Sequence, residues 1–374
     1  MTSINEVKET LDRWYHIEDT QVVDALLSFM VSHRLQGDPV WLFLIGQSSA
    51  LKTELLHALE TKDTVCIDKI TPKTLISGRP LKPKARMEVD LAPQLRNKVW
   101  LISDFSQVLT VHKDQRSEIF SDLRSLYDGR IHKIFGTGVN IIYGSGSPGD
   151  PKIKCSLLAA TTPTIDQFTS EISLLGSRHL MIRTNGADDQ EIMEKIEGNL
   201  FREDKARKEC RKAVSSYLSN LKLGKVDISE EVIENLQAIV KTTVRMKAAV
   251  QTDRYTDEVT EISYPEGPGR IYKMLRKMLE AGTHILDEET ALNICKRIAE
   301  DCGTQKRAKI YQMFKGNDEP LYISKIAREL RIGKRTVRRE LNSMWQLKLI
   351  RPEVDQYDED GGDNRYWRLW NTPV

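Results

Sequence analysis

The residues with the clearest chemical potential are Gly46, Gln47, Ser48, Ser49, Ala50, Leu51, Lys52 and Thr53. They follow the Walker A spacing with one exception. In such a loop the lysine, here Lys52, reaches the β- and γ-phosphates of a nucleoside triphosphate, and the hydroxyl, here of Thr53, ligates Mg²⁺. Backbone N–H groups and the start of the following helix supply the rest of the anion site. The exception is Leu51, which stands where the motif has its second glycine. A side chain there crowds the phosphates, and a positive φ would be costly. The competing reading is an ordinary strand–turn–helix connection that contains Lys-Thr.

A second candidate is Ser103-Asp104-Phe105. An ATPase uses acids at such a strand end to hold Mg²⁺ and to orient the attacking water. One acid is present where two are usual. Asp104 fits the metal-linked acid, with Phe105 in the glutamate's place. Alternatively Ser103 replaces the metal-linked aspartate and Asp104 does the glutamate's work. A solvated aspartate at a strand end is the plain alternative.

The elements that must position these residues are legible as apolar runs. Val40 to Ile45 forms a buried strand just before the loop, and a helix pattern starts near Thr53. Val99 to Ile102 is a second run. Cys155 to Ala160 is a third and ends in Thr161-Thr162-Pro163. Continuous apolar runs separated by helical stretches predict a parallel sheet covered on both faces. Trp41 and Trp100 fall on these runs and are expected in the core. Residues 1–36 read as two helices, with Val23, Leu26, Leu27, Met30 and Val31 at helical spacing. Residues 131–153 are glycine-rich and predict a hairpin with GSGSPGDP at its tip. Residues 188–300 read as helical and charged, with one interruption at Tyr264 to Gly269.

The net charge is only +2, yet residues 303–340 hold eleven Lys or Arg against four Asp or Glu. KRAKIYQMF, YISKIARELRI and KRTVRRELNSMWQLKLI read as three helices, with Gly333 making the last turn. Val337, Leu341 and Met344 then face inward. Lys334, Arg335, Arg338 and Arg339 are left to meet DNA phosphates or base edges. RPEVDQYDEDGGDNRYWRLW follows as a hairpin wing pattern. Its tip acids, Asp355, Asp358, Glu359 and Asp360, repel phosphate, so contact depends on the helix. Trp345, Trp367 and Trp370 are expected to pack this small core. Protein docking is the competing use of such a module. Lys69, Lys73, Arg79, Lys82, Lys84 and Arg86, and the hairpin near Lys133, are candidates for lining a DNA channel. Solvated loops are the alternative for both.

At 374 residues, two or three domains are expected. The five cysteines form no CxxC pair, which argues against a disulfide framework or a zinc site and fits a reducing compartment. The histidines, His16, His112 and His179 among them, show no paired-ligand spacing and read as surface or packing residues. No apolar run suggests a secretory signal or a membrane span. A cytoplasmic protein without membrane contact is the expectation.

In this order the pieces resemble AAA+ ATPases of the minichromosome-maintenance type. They are similar above all to the ATPases of phages, plasmids and integrated elements described as phage helicases or ATP-binding proteins. The resemblance covers about residues 14–350. It is carried by HIEDTQVVDALLSFMVSHRLQGDPVWLFLIGQSSALKTELL, ITPKTLISG, SDFSQVL, LRSLYDGR, LLAATTP, LLGSRHLMIR and YPEGPGRIYKML. A D-E-F triplet often ends the second core strand in that group, which sets Ser103 on the aspartate and Asp104 on the glutamate. The resemblance further implies that Thr162 is the sensor 1 residue. Arg178 falls on the arginine finger acting on ATP in the neighbouring subunit, and Arg270 on the sensor 2 arginine of a helical lid. It implies ATP and Mg²⁺, DNA, and a homo-oligomer, a six-fold ring or a helical filament.

The expected fold is α/β. It comprises an N-terminal helical segment (1–36), an AAA+ P-loop core with a parallel sheet (37–187), a helical lid (188–302) and a winged helix (303–374). The expected function is a DNA helicase or translocase of a mobile element, working with replication or element-encoded proteins. The alternatives are an ATP-gated loader or regulator with weak hydrolysis, and a scaffold without turnover.

Overall fold

The computed structural model describes residues 2–47, 51–184, 189–253, 255–256, 258–264, 267–317, 319–353 and 366–370. The chain opens with α1 (Ile4–Tyr15) and α2 (Thr20–Arg34), then β1 (Trp41–Ile45), α3 (Lys52–Ala58) and β2 (Thr64–Cys66). Short helices α4 (Pro83–Val89) and α5 (Leu91–Gln94) lead to β3 (Lys98–Ile102). Next come α6 (Ser106–Thr110), α7 (Lys113–Tyr127), the hairpin β4 (Ile131–Ile134) and β5 (Asn140–Tyr143), and β6 (Cys155–Thr161). After α8 (Thr169–Ile172) and β7 (Leu180–Arg183) the chain is mainly helical: α9 (Asp189–Asn199), α10 (Glu203–Asn220) and α11 (Glu230–Lys247). A second hairpin, β8 (Ala249–Thr252) and β9 (Val259–Ser263), precedes α12 (Gly269–Thr283) and α13 (Glu288–Asp301). The last elements are α14 (Gln305–Lys315), β10 (Leu321–Tyr322), α15 (Ile323–Leu330), α16 (Lys334–Gln346), β11 (Ile350–Glu353) and β12 (Tyr366–Leu369).

The expected parallel sheet is present, with strand order β2-β3-β6-β1-β7 and every pair parallel. Every residue of β1 and β6 is buried, as two covered faces require. The chain steps back once, from β1 to β2, and otherwise moves the other way. Right-handed crossovers therefore require α3 on one face and α6 and α7 on the opposite one. Trp41 and Trp100 are fully buried. The main core runs from Val7 to Cys302. A second core gathers Ile310, Ile326, Val337, Leu341 and Trp367, together with Met246 and Ala248 from the end of α11. Among the described residues no helix is long and apolar enough to cross a membrane.

Three expectations need correction. The tip of the β4–β5 hairpin is the turn at Phe135 to Val139, not GSGSPGDP. That second stretch follows β5, where the Asp150 carboxylate accepts from Gly144 N (2.9 Å) and Ser145 N (2.7 Å) and pairs with Arg96. The helical region is broken earlier than Tyr264, because β8 and β9 pair there and pack the half-buried Val250 and Ile262 against the second core. Trp367 is buried, but Trp345 and Trp370 stand at the surface.

Two polar networks tie helices to the sheet. Arg183 of β7 donates to both oxygens of Asp166 (2.7 and 3.2 Å), and its backbone N–H to Asp301 of α13 (2.9 Å). Arg297 bonds the same Asp301 oxygen (2.8 Å). Burial pushes the Asp301 carboxyl up to about 6, with Arg297 pulling the other way. At the other network the buried His33 of α2 meets Ser156 of β6, Nδ1 to Oγ 3.0 Å. Lys154 and Lys277 satisfy the carbonyls of Leu35 and Asp38 beyond the helix end. Burial pushes the His33 imidazole down from 6.5 to about 4.

Between pH 6.5 and 4 the unfolded chain takes up a proton that folded His33 refuses. Its contribution is intact above pH 6.5 and is lost as pH falls, by about 3 kcal/mol at the low end of the window. Urea unfolding at pH 7.5 and 4.5 is expected to show a smaller drop in His33→Gln than in wild type; equal drops contradict this.

Candidate functional site

The ends of β1, β6 and β7 bracket the loop of interest. Gly46 N donates to Thr161 O (3.2 Å) and Thr184 N to Ile45 O (2.7 Å). Lys52 opens α3 and is buried. Its Nζ donates to Gly46 O (2.8 Å) and Gln47 O (2.5 Å). Burial lowers its pKa, and the Asp104 carboxylate works against that. Any anion approaching this ammonium would have to compete with these carbonyls. Thr53 is exposed beside it. Ser48, Ser49 and Ala50 lie outside the described residues.

Leu51 takes φ 55° and ψ 3°, the left-handed region. A leucine pays about 1–2 kcal/mol there, which a glycine avoids. The missing motif glycine thus shows as backbone strain at the residue before Lys52.

At the end of β3, Asp104 accepts from Ser106 N (2.9 Å). Ser106 Oγ meets Thr161 Oγ1 (3.1 Å) and Thr162 Oγ1 (3.4 Å), so Thr162 joins this cluster. Ser103 Oγ donates to Asp68 Oδ1 (2.5 Å). Asp68 lies just past β2 and escaped the sequence reading. The second acid absent from Ser103-Asp104-Phe105 therefore stands beside it in space. Its only signal was an acid closing the short apolar run at Val65 and Ile67. Ser103 Oγ with its partner Asp68, and the Asp104 carboxylate, are hard oxygen donors of the kind Mg²⁺ takes.

Glu54 was also missed. It accepts from Arg207 Nη2 (2.6 Å) and Nε (2.9 Å) and from Tyr15 Oη (3.2 Å). Arg207 holds its carboxyl below the usual range. The first turn of α3 is thereby tied to α10 and α1.

Arg178 and Arg270 are elsewhere. Arg178, almost fully buried, grips Asp128 with Nη2 (2.9 Å) and Nε (3.3 Å) and lies 5.7 Å over the Tyr127 ring. Arg270 approaches the same carboxylate at 3.8 Å. Tyr127 packs edge-on against Trp41, the first residue of β1 (5.2 Å). Lys52 is anchored beyond the other end of that strand. Four residues at about 3.3 Å each separate the two ends by roughly 13 Å. The two arginines share the Asp128 carboxylate, at the end of β1 away from Lys52.

The basic candidates sort by exposure. Lys133 pairs with Glu118 (2.8 Å) and Asp122 (2.9 Å). Lys69, Lys73, Arg79, Lys82 and Lys84 are exposed, and Arg86 donates to Leu81 O (2.9 Å). On α16, Val337, Leu341 and Met344 are buried, Lys334, Arg335 and Arg338 are exposed, and Arg339 is half-buried. Arg307 holds α16 through Glu340 (2.9 Å) and the base of β8 through Met246 O and Ala248 O. Arg335 reaches Tyr255 O at the β8–β9 tip (3.4 Å). Asp355, Asp358, Glu359 and Asp360 lie outside the described residues.

No family model and no curated protein matches this chain. It aligns with apo structures of the C-terminal region of NrS-1. One match has 13% identity and a TM-score of 0.33, over 63% of this chain and 54% of that one. Another has 12% identity and a TM-score of 0.31, over 97% and 74%. The aligned part spans about half the length of the first. Likeness this weak carries no argument about fold or function.

The strain at Leu51 is testable with two variants that both lose the leucine side chain. Leu51→Gly is expected to be more stable than Leu51→Ala by about 1 kcal/mol in chemical denaturation. Equal stabilities, or alanine ahead, would remove the strain.

Proposed function

We propose that the chain is an ATP-dependent, DNA-binding AAA+ motor whose nucleotide site is shared between copies, a helicase or translocase of a mobile element. The observation that carries this is the separation of charges. Lys52, Asp104, Ser103 and Thr162 gather at one end of the sheet, and Arg178 and Arg270 gather on Asp128 at the other. In this reading neither arginine meets a phosphate held by its own Lys52, and both would reach it from a neighbouring copy, in a ring or filament. Arg270 is thus read here as a residue acting in trans together with Arg178.

In this reading the β- and γ-phosphates draw the Lys52 ammonium away from the loop carbonyls. Thr53, Ser103, Asp104 and Asp68 are the residues that would hold Mg²⁺, which neutralises phosphate charge when bound. Thr162, bonded to Ser106, orients the attacking water. Arg178 leaves Asp128 to meet the charge that develops on the transferred phosphoryl group.

For DNA binding, α14, α15, α16 and the strands β10–β12 would act as a winged helix. Its support is the α15–α16 pair, with a buried face of Val337, Leu341 and Met344 and an exposed face of Lys334, Arg335 and Arg338. A second reading, an ATP-gated loader or regulator with slow turnover, is favoured by the strained Leu51 and by a serine at position 103. Strand displacement on a forked duplex separates the two: ATP-dependent assembly and DNA binding without unwinding leaves only the second.

Mixing variants tests the shared site. Lys52→Ala and Arg178→Ala are each expected to abolish ATP turnover, and their equal mixture to recover roughly a quarter of it by random placement around a ring. Lys52→Ala mixed with Arg270→Ala should recover likewise. Lys52→Ala with Asp104→Asn should not, because both lesions then fall on one side of the site. Absence of recovery in the first two mixtures would sink the proposal.

A further inference from the structure

Strand β2 ends the sheet at one edge, and among the described residues only β3 pairs with it. Asp63 O accepts from Val99 N (2.9 Å) and Ile67 N donates to Leu101 O (3.1 Å), both toward β3. Neighbouring residues of a strand point their N–H and C=O groups to opposite sides. Thr64 and Cys66 therefore turn theirs to the open side. Thr64 N donates to Thr61 O (3.2 Å). The Thr64 carbonyl and both backbone groups of the exposed Cys66 face outward, where one more strand could pair.

Across from this edge runs α10, and a groove of about 830 Å³ lies between the two. It continues into a space of about 340 Å³ that is also lined by Thr61, Lys62 and Ser215. The α10 residues along both run from Asp204 to Ser219, roughly 22 Å of helix. An extended chain of about six or seven residues spans that length.

The groove is basic. Along its length six cations stand against three acids, Glu60, Asp63 and Asp204. Three of the cations are engaged: Arg207 by Glu54, Arg211 by Glu60, and Arg34 by the carbonyls of Leu218 and Leu221. Lys62, Lys208 and Lys212 are exposed and make no ion pair among the described residues. The other acids of α10 do not line the groove. Glu203 opens the helix, and Glu209 accepts from Trp14 Nε1 (3.0 Å) on the α1 side. Lys208 and Lys212 are one turn apart, about 6 Å along the axis. Alternate residues of an extended chain, which share a face, are about 6.6 Å apart. Carboxylates at every second residue thus match the lysines. The edge offers carbonyls as well as an N–H, so its complement needs donors and acceptors. A polypeptide backbone has both, whereas a phosphate backbone has acceptors alone.

We propose that this groove binds an extended acidic segment of a partner protein, which adds to the sheet beside β2. The backbone of the segment bonds Thr64 and Cys66, and its alternate carboxylates meet Lys62, Lys208 and Lys212.

Fluorescence anisotropy with the full chain tests this, using as probe a labelled peptide of alternating glutamate and valine, about eight residues long. Wild type is expected to bind it, and the double variant Lys208→Glu/Lys212→Glu to bind at least about tenfold more weakly. Two N-methylated forms of the peptide, blocked at odd or at even residues, test the strand pairing on the wild type itself. One form should lose binding and the other keep it, because only one side of the added strand faces β2. No binding of the peptide by wild type, equal binding by the double variant, or equal binding of the two methylated forms each overturns the proposal. A single-stranded oligonucleotide that binds wild type and is lost from the double variant, while the peptide binds neither, assigns the groove to nucleic acid instead.

Discussion

A sheet buried on both faces can present chemistry only at the ends of its strands. That constraint organises this molecule. β1 and β6 have no solvent-facing side chain, so Lys52, Ser103, Asp104 and Thr162 all sit where strands stop and turns begin. Strand adjacency then does the assembly. β6 lies between β1 and β3, which is why Thr161 can bond both the loop after β1 and Ser106 after β3.

The same constraint divides the charges. The five residues of β1 hold the Lys52 end and the Asp128 end apart. Each end satisfies its cation internally, Lys52 with loop carbonyls and Arg178 with Asp128. Such contacts keep buried cations from standing unpaired, which would be costly.

The C-terminal elements share their core with earlier segments. Their core takes Met246 and Ala248 from α11 and packs Val250 and Ile262 of the β8–β9 hairpin. Arg307 fixes that hairpin and α16 together. The basic helix is therefore held by segments from more than one part of the chain, joined to the long α11 that packs on α13.

The sequence alone determined what is local. Apolar runs bounded by polar turns identified β1, β3 and β6, because a strand buried on both faces takes few polar side chains and only with partners, as Ser156 has in His33. The spacing of Val337, Leu341 and Met344 identified the inward face of α16, because 3.6 residues per turn fix which side chains align. Tertiary structure decided what depends on distant neighbours. Asp68 meets Ser103 only through the pairing of β2 with β3, and Glu54 meets Arg207 across 153 positions. Arg178 and Arg270 share Asp128 because α7, the turn before β7 and α12 converge there, which no spacing encodes. Periodicity records which way a side chain points along its own element; which residue it meets is set by the packing of other elements.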